Sequence, residues 1–340
     1  MERLYKIVLV LILFASHANG AEEYKDYNQK VMDTVDWIAK NKAGLGYDKV
    51  ARYTEDLNYG DYVFRSTGGT KTMCVAAVFE ILIRTLADAK TKNGDLVAKK
   101  LLVGKVLSGS KALNVAPYVF QYESAVKFPE YDRKYSAGIG DAFVLFGIGR
   151  YVTFESAKPG DFVYLNRVSG NGHATVFISF LDEAGKPAGT SKNAIGFRYF
   201  SAQEGGTHGM GYRDAVFGKC RALKTEYVQD CNVIKSESRR MFSVSRLYDP
   251  DYWFTSYSAI RIERFFKGET IDKIYEEESA FRARAKSEQD EAEKKAKQYA
   301  SKGLFPMITT PIAGESKSAE MKVKNFAFDD EKFGPNFEDD

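Results

Sequence analysis

The chain has 340 residues, 44% of them hydrophobic and 14% aromatic, and a formal net charge of +3. That length and apolar content can build one large domain or two small ones around a substantial core. The near-neutral balance gives no electrostatic footprint for nucleic acid.

The first predicted element is an export signal. "MERLYK" is a short charged start, "IVLVLILFA" is an apolar stretch, and "SHANG" closes with small residues at Ala18 and Gly20. This is the layout of a secretory signal peptide, with cleavage expected between Gly20 and Ala21. The apolar stretch is too short to cross a bilayer as a stable helix. No later segment is apolar for long enough, so no stable membrane span is expected after cleavage and the product is periplasmic or secreted.

The main domain is expected over residues 21–266. Residues 24–42 put Val31, Val35 and Ile38 on one face and predict an amphipathic helix. Residues 59–65 read as a short extended piece. At Thr67–Ile83, "TGGTKTMCVAAVFEILI", a glycine–threonine loop gives way to an apolar run. A helix is expected from Cys74 to about residue 89, buried around most of its circumference. Within it Glu80 is either exposed or the buried partner of a basic group. Residues 91–135 have mixed character and read as an insertion. Residues 137–149, "AGIGDAFVLFGIG", predict a buried helix.

The period then changes to two. Strands are expected at 161–167, 173–182 and 194–203, with further ones at 243–248 and 257–265. Helices followed by antiparallel strands argue for an α+β fold. Residues 267–302 are rich in Glu, Lys, Arg and Ala, which predicts a charged helix and a surface for a protein partner. The acidic tail 303–340 is expected to be disordered. Trp37 and Trp253 read as core anchors rather than sugar platforms.

Three cysteines are present. In an oxidising compartment Cys220 and Cys231 form the natural local disulfide. Cys74 is left unpaired, at the first turn of its helix. Unpaired N–H groups and the helix dipole there favour a thiolate. Backbone amides of the preceding "GGTKT" would suit an oxyanion. A thiolate catalyst needs a proton acceptor, most often histidine. Of the three histidines, His17 lies in the signal, which leaves His173 and His208. His173 follows "SGNG" and opens a strand, so it is the preferred base. Ser201 or Gln203 would orient it if the 194–203 strand pairs beside it; Asn193 and His208 are other candidates. Two mature histidines and a disulfide leave no zinc set, so neither metal nor cofactor is expected.

These segments, "TKTMCVAAVFEIL", then "KPGDFVYL", then "GNGHATVFISF", resemble the NlpC-type cysteine peptidases of the papain-like superfamily. The resemblance places Cys74, then Pro159, Gly160 and Asp161, then Gly172 and His173, with Ser201 or Gln203 as the polar residue of the third strand. It implies a papain-like core, with the Cys-bearing helix packed on an antiparallel sheet. It also implies an exported peptidoglycan amidase or endopeptidase acting on wall peptides. Two alternatives stay open: acyl transfer or lipid-ester hydrolysis on the same dyad, and a non-catalytic envelope-binding or assembly module.

Overall fold

The computed structural model describes residues 25–42, 44–49, 51–59, 62–67, 71–87, 138–170, 172–204, 209–239, 241–253, 258–266 and 268–277, plus a few isolated positions beyond. The signal segment, the 91–135 insertion, most of the 267–302 helix, the 303–340 tail and His208 lie outside the described residues. Residues 24–271 make one compact unit; residues 1–23 and 272–340 make another, of which residues 272–277 are described and helical.

The helices are α1 (Asn28–Asn41), α2 (Cys74–Ala87), α3 (Ile139–Phe146) and α4 (Ser258–Phe266). Short strands β1 (Gly46–Tyr47) and β4 (Lys71–Thr72) pair in parallel, and β2 (Leu57–Tyr59) with β3 (Tyr62–Phe64) antiparallel. The remaining strands are β5 (Gly149–Val152), β6 (Phe162–Asn166), β7 (Gly172–Leu181), β8 (Pro187–Ala188), β9 (Gly196–Gln203), β10 (Gly209–Phe217), β11 (Gln229–Val233) and β12 (Phe242–Leu247). They form one sheet in the order β11-β10-β9-β7-β6-β12-β5, with β8 on the edge of β7. β10 and β11 run parallel and the other pairs antiparallel, so the sheet is mixed and the fold is α+β.

The helical periodicity is realised in packing. Val31, Val35 and Ile38 of α1 are fully buried. All eight residues of α3 are buried, and the helix stops at Gly147, whose φ of 69° is the left-handed cap that glycine supplies. Gly140 is required for a close approach: a Cβ there would lie 2.6 Å from the ring of Tyr151. One face of the sheet carries an aromatic core, in which Phe154 meets Phe177, Phe180, Phe197 and Phe242 edge-on. Such pairs add to plain burial because ring edges are positive and faces negative.

The 257–265 segment departs from the strand expected there; it is helix α4. Ser258, Arg261 and Phe265 are buried while Ile260 is 38% exposed. That spacing of three and four fits a helix and not a strand. The Ser258 hydroxyl donates to the Phe146 carbonyl at 3.0 Å, and Arg261 Nε donates to the Leu145 carbonyl at 2.8 Å. α4 thereby satisfies carbonyls left over at the end of α3.

Glu80 takes the buried alternative. It is 0% exposed and accepts from the Thr54 hydroxyl at 2.8 Å, the Thr54 amide at 2.9 Å and Arg84 Nε at 2.9 Å. Trp253 is half-buried and donates Nε1 to the Tyr248 carbonyl at 3.0 Å. Trp37 is 45% exposed and is not the core anchor expected.

Cys220 and Cys231 are disulfide-bonded, with Cα atoms 5.2 Å apart and a sequence separation of 11. The bridge closes the connection between β10 and β11. Reduction is expected to lower stability by about 2–4 kcal/mol, through the freedom regained by the unfolded chain. Urea melts with and without reductant check this, and coincident curves would contradict it. Among the described residues no helix is long and apolar enough to cross a membrane.

Candidate functional site

Cys74 is the first residue of α2 and the free cysteine of the chain. Helix α2 packs on β7 and β9. The sulfur therefore lies near the start of β7, where the main-chain amide of Ala174 acts to lower its pKa. The amides of Val75 and of Cys74 itself act in the same sense, as expected at a helix N-terminus. Burial opposes them and dominates: it pushes the thiol pKa up, while these amides and Arg167 pull it down. Cys74 is 8% exposed, so the resting sulfur is a protonated thiol.

Tyr47 lies on β1. Burial raises its pKa first, and the electrostatic influence of Cys74 and Glu204 raises it further.

His173 is the residue beside Ala174, but its ring takes another direction. Successive side chains of a strand alternate between faces. Phe177 is paired with Tyr199 of β9, so His173, Thr175 and Phe177 share the face of Tyr199. The imidazole packs edge-on against Tyr199, with centroids 5.5 Å apart. The core on that face includes Phe177 and Tyr199 and, among the described residues, nothing from α2. Nε2 of His173 is buried with no hydrogen-bond partner. The backbone at 173–174 and the sulfur are brought together; the imidazole and the sulfur are not hydrogen-bonded to one another.

The residues expected to orient His173 have other partners. β7 and β9 do pair, and alternation puts Ser201 and Gln203 on the imidazole's face. Yet the Ser201 hydroxyl donates to the Ala174 carbonyl at 2.6 Å. Gln203 shares a short hydrogen bond with the Tyr199 hydroxyl. That hydroxyl also donates to Asp230 Oδ2 at 2.8 Å. A phenol has one proton to give, so the Gln203 amide completes the set with its NH2 group turned toward Tyr199. Asn193 lies in the exposed turn before β9 with φ of 61°, a region that asparagine tolerates.

Arg167, at the end of β6, forms a bidentate pair with Asp230, Nε and Nη2 each donating at 2.6 Å. Burial works against the Arg167 charge, but Asp230 more than offsets this and its pKa is raised. Burial likewise raises Tyr199, reinforced by Asp230. His173, Tyr199, Gln203, Asp230 and Arg167 therefore form one buried polar cluster, and the field of Arg167 reaches Cys74 as well as His173. Sequence reasoning missed Tyr47, Arg167, Tyr199 and Asp230. Tyr199 reads as one apolar member of an alternating strand. Arg167 and Asp230 are 63 residues apart, with no local sign of their pairing.

Burial lowers the His173 pKa to about 3, and the positive charge of Arg167 lowers it further. The unfolded chain protonates this histidine near its ordinary value of about 6.5, so it binds more protons than the folded chain below that pH. Stability contributed by the neutral imidazole is therefore lost as pH falls from about 6.5 toward about 3. Relative to His173→Phe, the wild type should lose up to about 1.4 kcal/mol more per pH unit in that window. Urea melts at several pH values measure the difference, and parallel pH curves would contradict it.

No protein-family model, curated protein or solved structure matches this chain.

Proposed function

We propose that the protein is an exported cysteine hydrolase that cleaves an amide bond in cell-wall peptides, built on a papain-like core. The observation that carries this reading is the position of Cys74, which opens a buried helix packed on β7, where the backbone amides of Ala174, Val75 and Cys74 itself all favour the thiolate. Backbone donors around a nucleophile also serve the oxyanion that forms when it attacks. The signal-like start and the disulfide suit work outside the cytoplasm.

In the proposed cycle the Cys74 S–H proton passes to His173 and the sulfur bonds to the amide carbon. The carbonyl π electrons move onto oxygen, facing the backbone donors. Collapse restores the carbonyl and expels the amine, which takes the proton from His173. Water, deprotonated by His173, then cleaves the thioester, releasing a carboxylic acid and restoring the thiol. Neutral His173 is the form able to accept a proton. The cycle requires the first residues of β7 to rearrange on substrate binding, so that the imidazole leaves Tyr199 and meets the sulfur.

A second reading is a non-catalytic envelope module, in which Cys74 and His173 are packing residues. The edge-on contact of His173 with Tyr199 and the burial of both groups favour it. Acyl transfer to an amine is a variant of the first reading. Incubation with purified sacculi separates them. Hydrolysis releases soluble wall peptides, transfer creates new amide cross-links, and an idle module leaves the sacculi unchanged. Unchanged sacculi would overturn the hydrolase reading.

A further inference from the structure

The far end of α2 carries a second feature, independent of the thiol. A groove of about 510 Å³ lies where α1, α2 and the 55–58 segment meet, and Trp37 and Arg84 are among its lining residues. Cys74 and Arg84 are ten residues apart on one helix, about 15 Å at the usual rise. The groove is thus separated from the sulfur by most of the helix.

Trp37 is the notable member, because an exposed indole in a groove is open to a ligand. It is 45% exposed, and it is also held in place. The Arg84 guanidinium lies 4.8 Å from its ring centroid, a cation–π contact. Arg84 is fixed in turn, with Nε on Glu80 at 2.9 Å and Nη2 on Glu55 at 2.6 Å. Glu80 is buried and further tied to Thr54. The indole is therefore presented at low entropic cost, with the guanidinium against one face and 45% of the residue exposed.

The charges in the groove are largely spent on one another. Glu55 is paired with Lys42 and Arg84, and Asp56 with Arg65. This leaves no dominant sign to attract a polyanion or a polycation. Lys30 and Asp33 bring one more charge of each sign, and Asn58 adds a neutral polar group beside the apolar Leu57 and Ile83. An aromatic plate ringed by hydrogen-bonding groups, with little net field, suits a ligand that has an apolar face and a polar rim. Pyranose rings have that form, with C–H groups on the flat face and hydroxyls around the edge.

We propose that the Trp37 groove binds an uncharged pyranose oligosaccharide, with the sugar face stacked on the indole. This assignment stands without the hydrolase reading. Where both hold, the groove seats a glycan strand while the thiol works on an attached peptide.

The chain has two tryptophans, so Trp253→Phe leaves Trp37 as the sole indole fluorophore. This variant is titrated with the tetramer of N-acetylglucosamine and with cellotetraose, and wild type is followed by calorimetry. A saturable emission shift with either sugar, matched by calorimetric binding, is expected. A preference between the two reports whether the N-acetyl group is read. Trp37→Ala should weaken binding about two- to tenfold, the scale of a lost aromatic contact, with unchanged circular dichroism. Cys74→Ala should bind like wild type, which keeps this result separate from any failure of wall hydrolysis. Absence of binding by both sugars, or equal binding by Trp37→Ala, would overturn the proposal.

Discussion

Asp161→Ala is expected to destabilise the protein by about 3–5 kcal/mol, the scale for breaking a buried ion pair by removing one partner. Asp161 is 0% exposed. Its carboxylate accepts from Arg246 Nε and Nη2, each at 2.8 Å, from Asn28 Nδ2 at 2.8 Å and from the Lys158 amide at 2.8 Å. One side chain thus ties the start of α1, the turn before β6 and strand β12. Alanine would leave the Arg246 charge buried at 4% exposure with its carboxylate gone. Asp161→Asn keeps some of the hydrogen bonds and should cost less. Denaturant melts of the two variants measure this; a loss below about 1 kcal/mol for the alanine variant, the scale of ordinary substitutions, would show that the network does not carry the turn. The same geometry explains the glycine beside it. Gly160 has φ of 91°, and a Cβ there would sit 2.5 Å from the Asn28 carbonyl oxygen. The Pro-Gly-Asp sequence at 159–161 is an architectural joint in this fold.

Cys74→Ala is expected to reduce release of wall peptides at least about a thousandfold, the scale seen when a nucleophile is removed from a unit of catalytic groups. The fold should persist, because a small buried side chain is exchanged for a slightly smaller one at a cost of about 1 kcal/mol. Burial raises the Cys74 pKa, so alkylation of the free protein should be slow at neutral pH and accelerate only in alkaline solution. Turnover and alkylation of the resting thiol are therefore expected to have different pH profiles. The proposed turnover needs the thiol deprotonated within a substrate complex, whereas alkylation reports the unliganded chain. A Cys74→Ala variant with unchanged release would remove the thiol from the chemistry.

The sequence made the α+β order and the helical faces legible because they rest on local period. Val31, Val35 and Ile38 announce α1 at spacings of three and four, and the run after Cys74 announces α2. The strand expected at 194–203 is β9, Gly196–Gln203, and it pairs beside β7 as expected. What lay beyond reach were pairings between distant segments. Ser201 shares the imidazole's face, yet its hydroxyl is taken by the Ala174 carbonyl, a main-chain partner that carries no residue signature. Tyr199 was visible as an apolar strand residue but not as the hydroxyl that binds Asp230. β10 and β11 were missed because glycines at 209 and 211 blur the alternation, and Asp214 and Asp230 are buried charges satisfied by Arg198 and Arg167. The 257–265 segment read as a strand because its β-branched and aromatic residues favour extended chain. Contact with α3 overrides that preference.

The proposed nucleophile can be tested by trapping it. Wild-type protein is mixed briefly with soluble wall peptide, quenched in acid, and mapped by mass spectrometry. A covalent acyl group on Cys74, absent from Cys74→Ala, is the predicted result. Peptide cleavage with no mass added to Cys74, or equal cleavage by Cys74→Ala, would contradict the assignment of this sulfur as the attacking group.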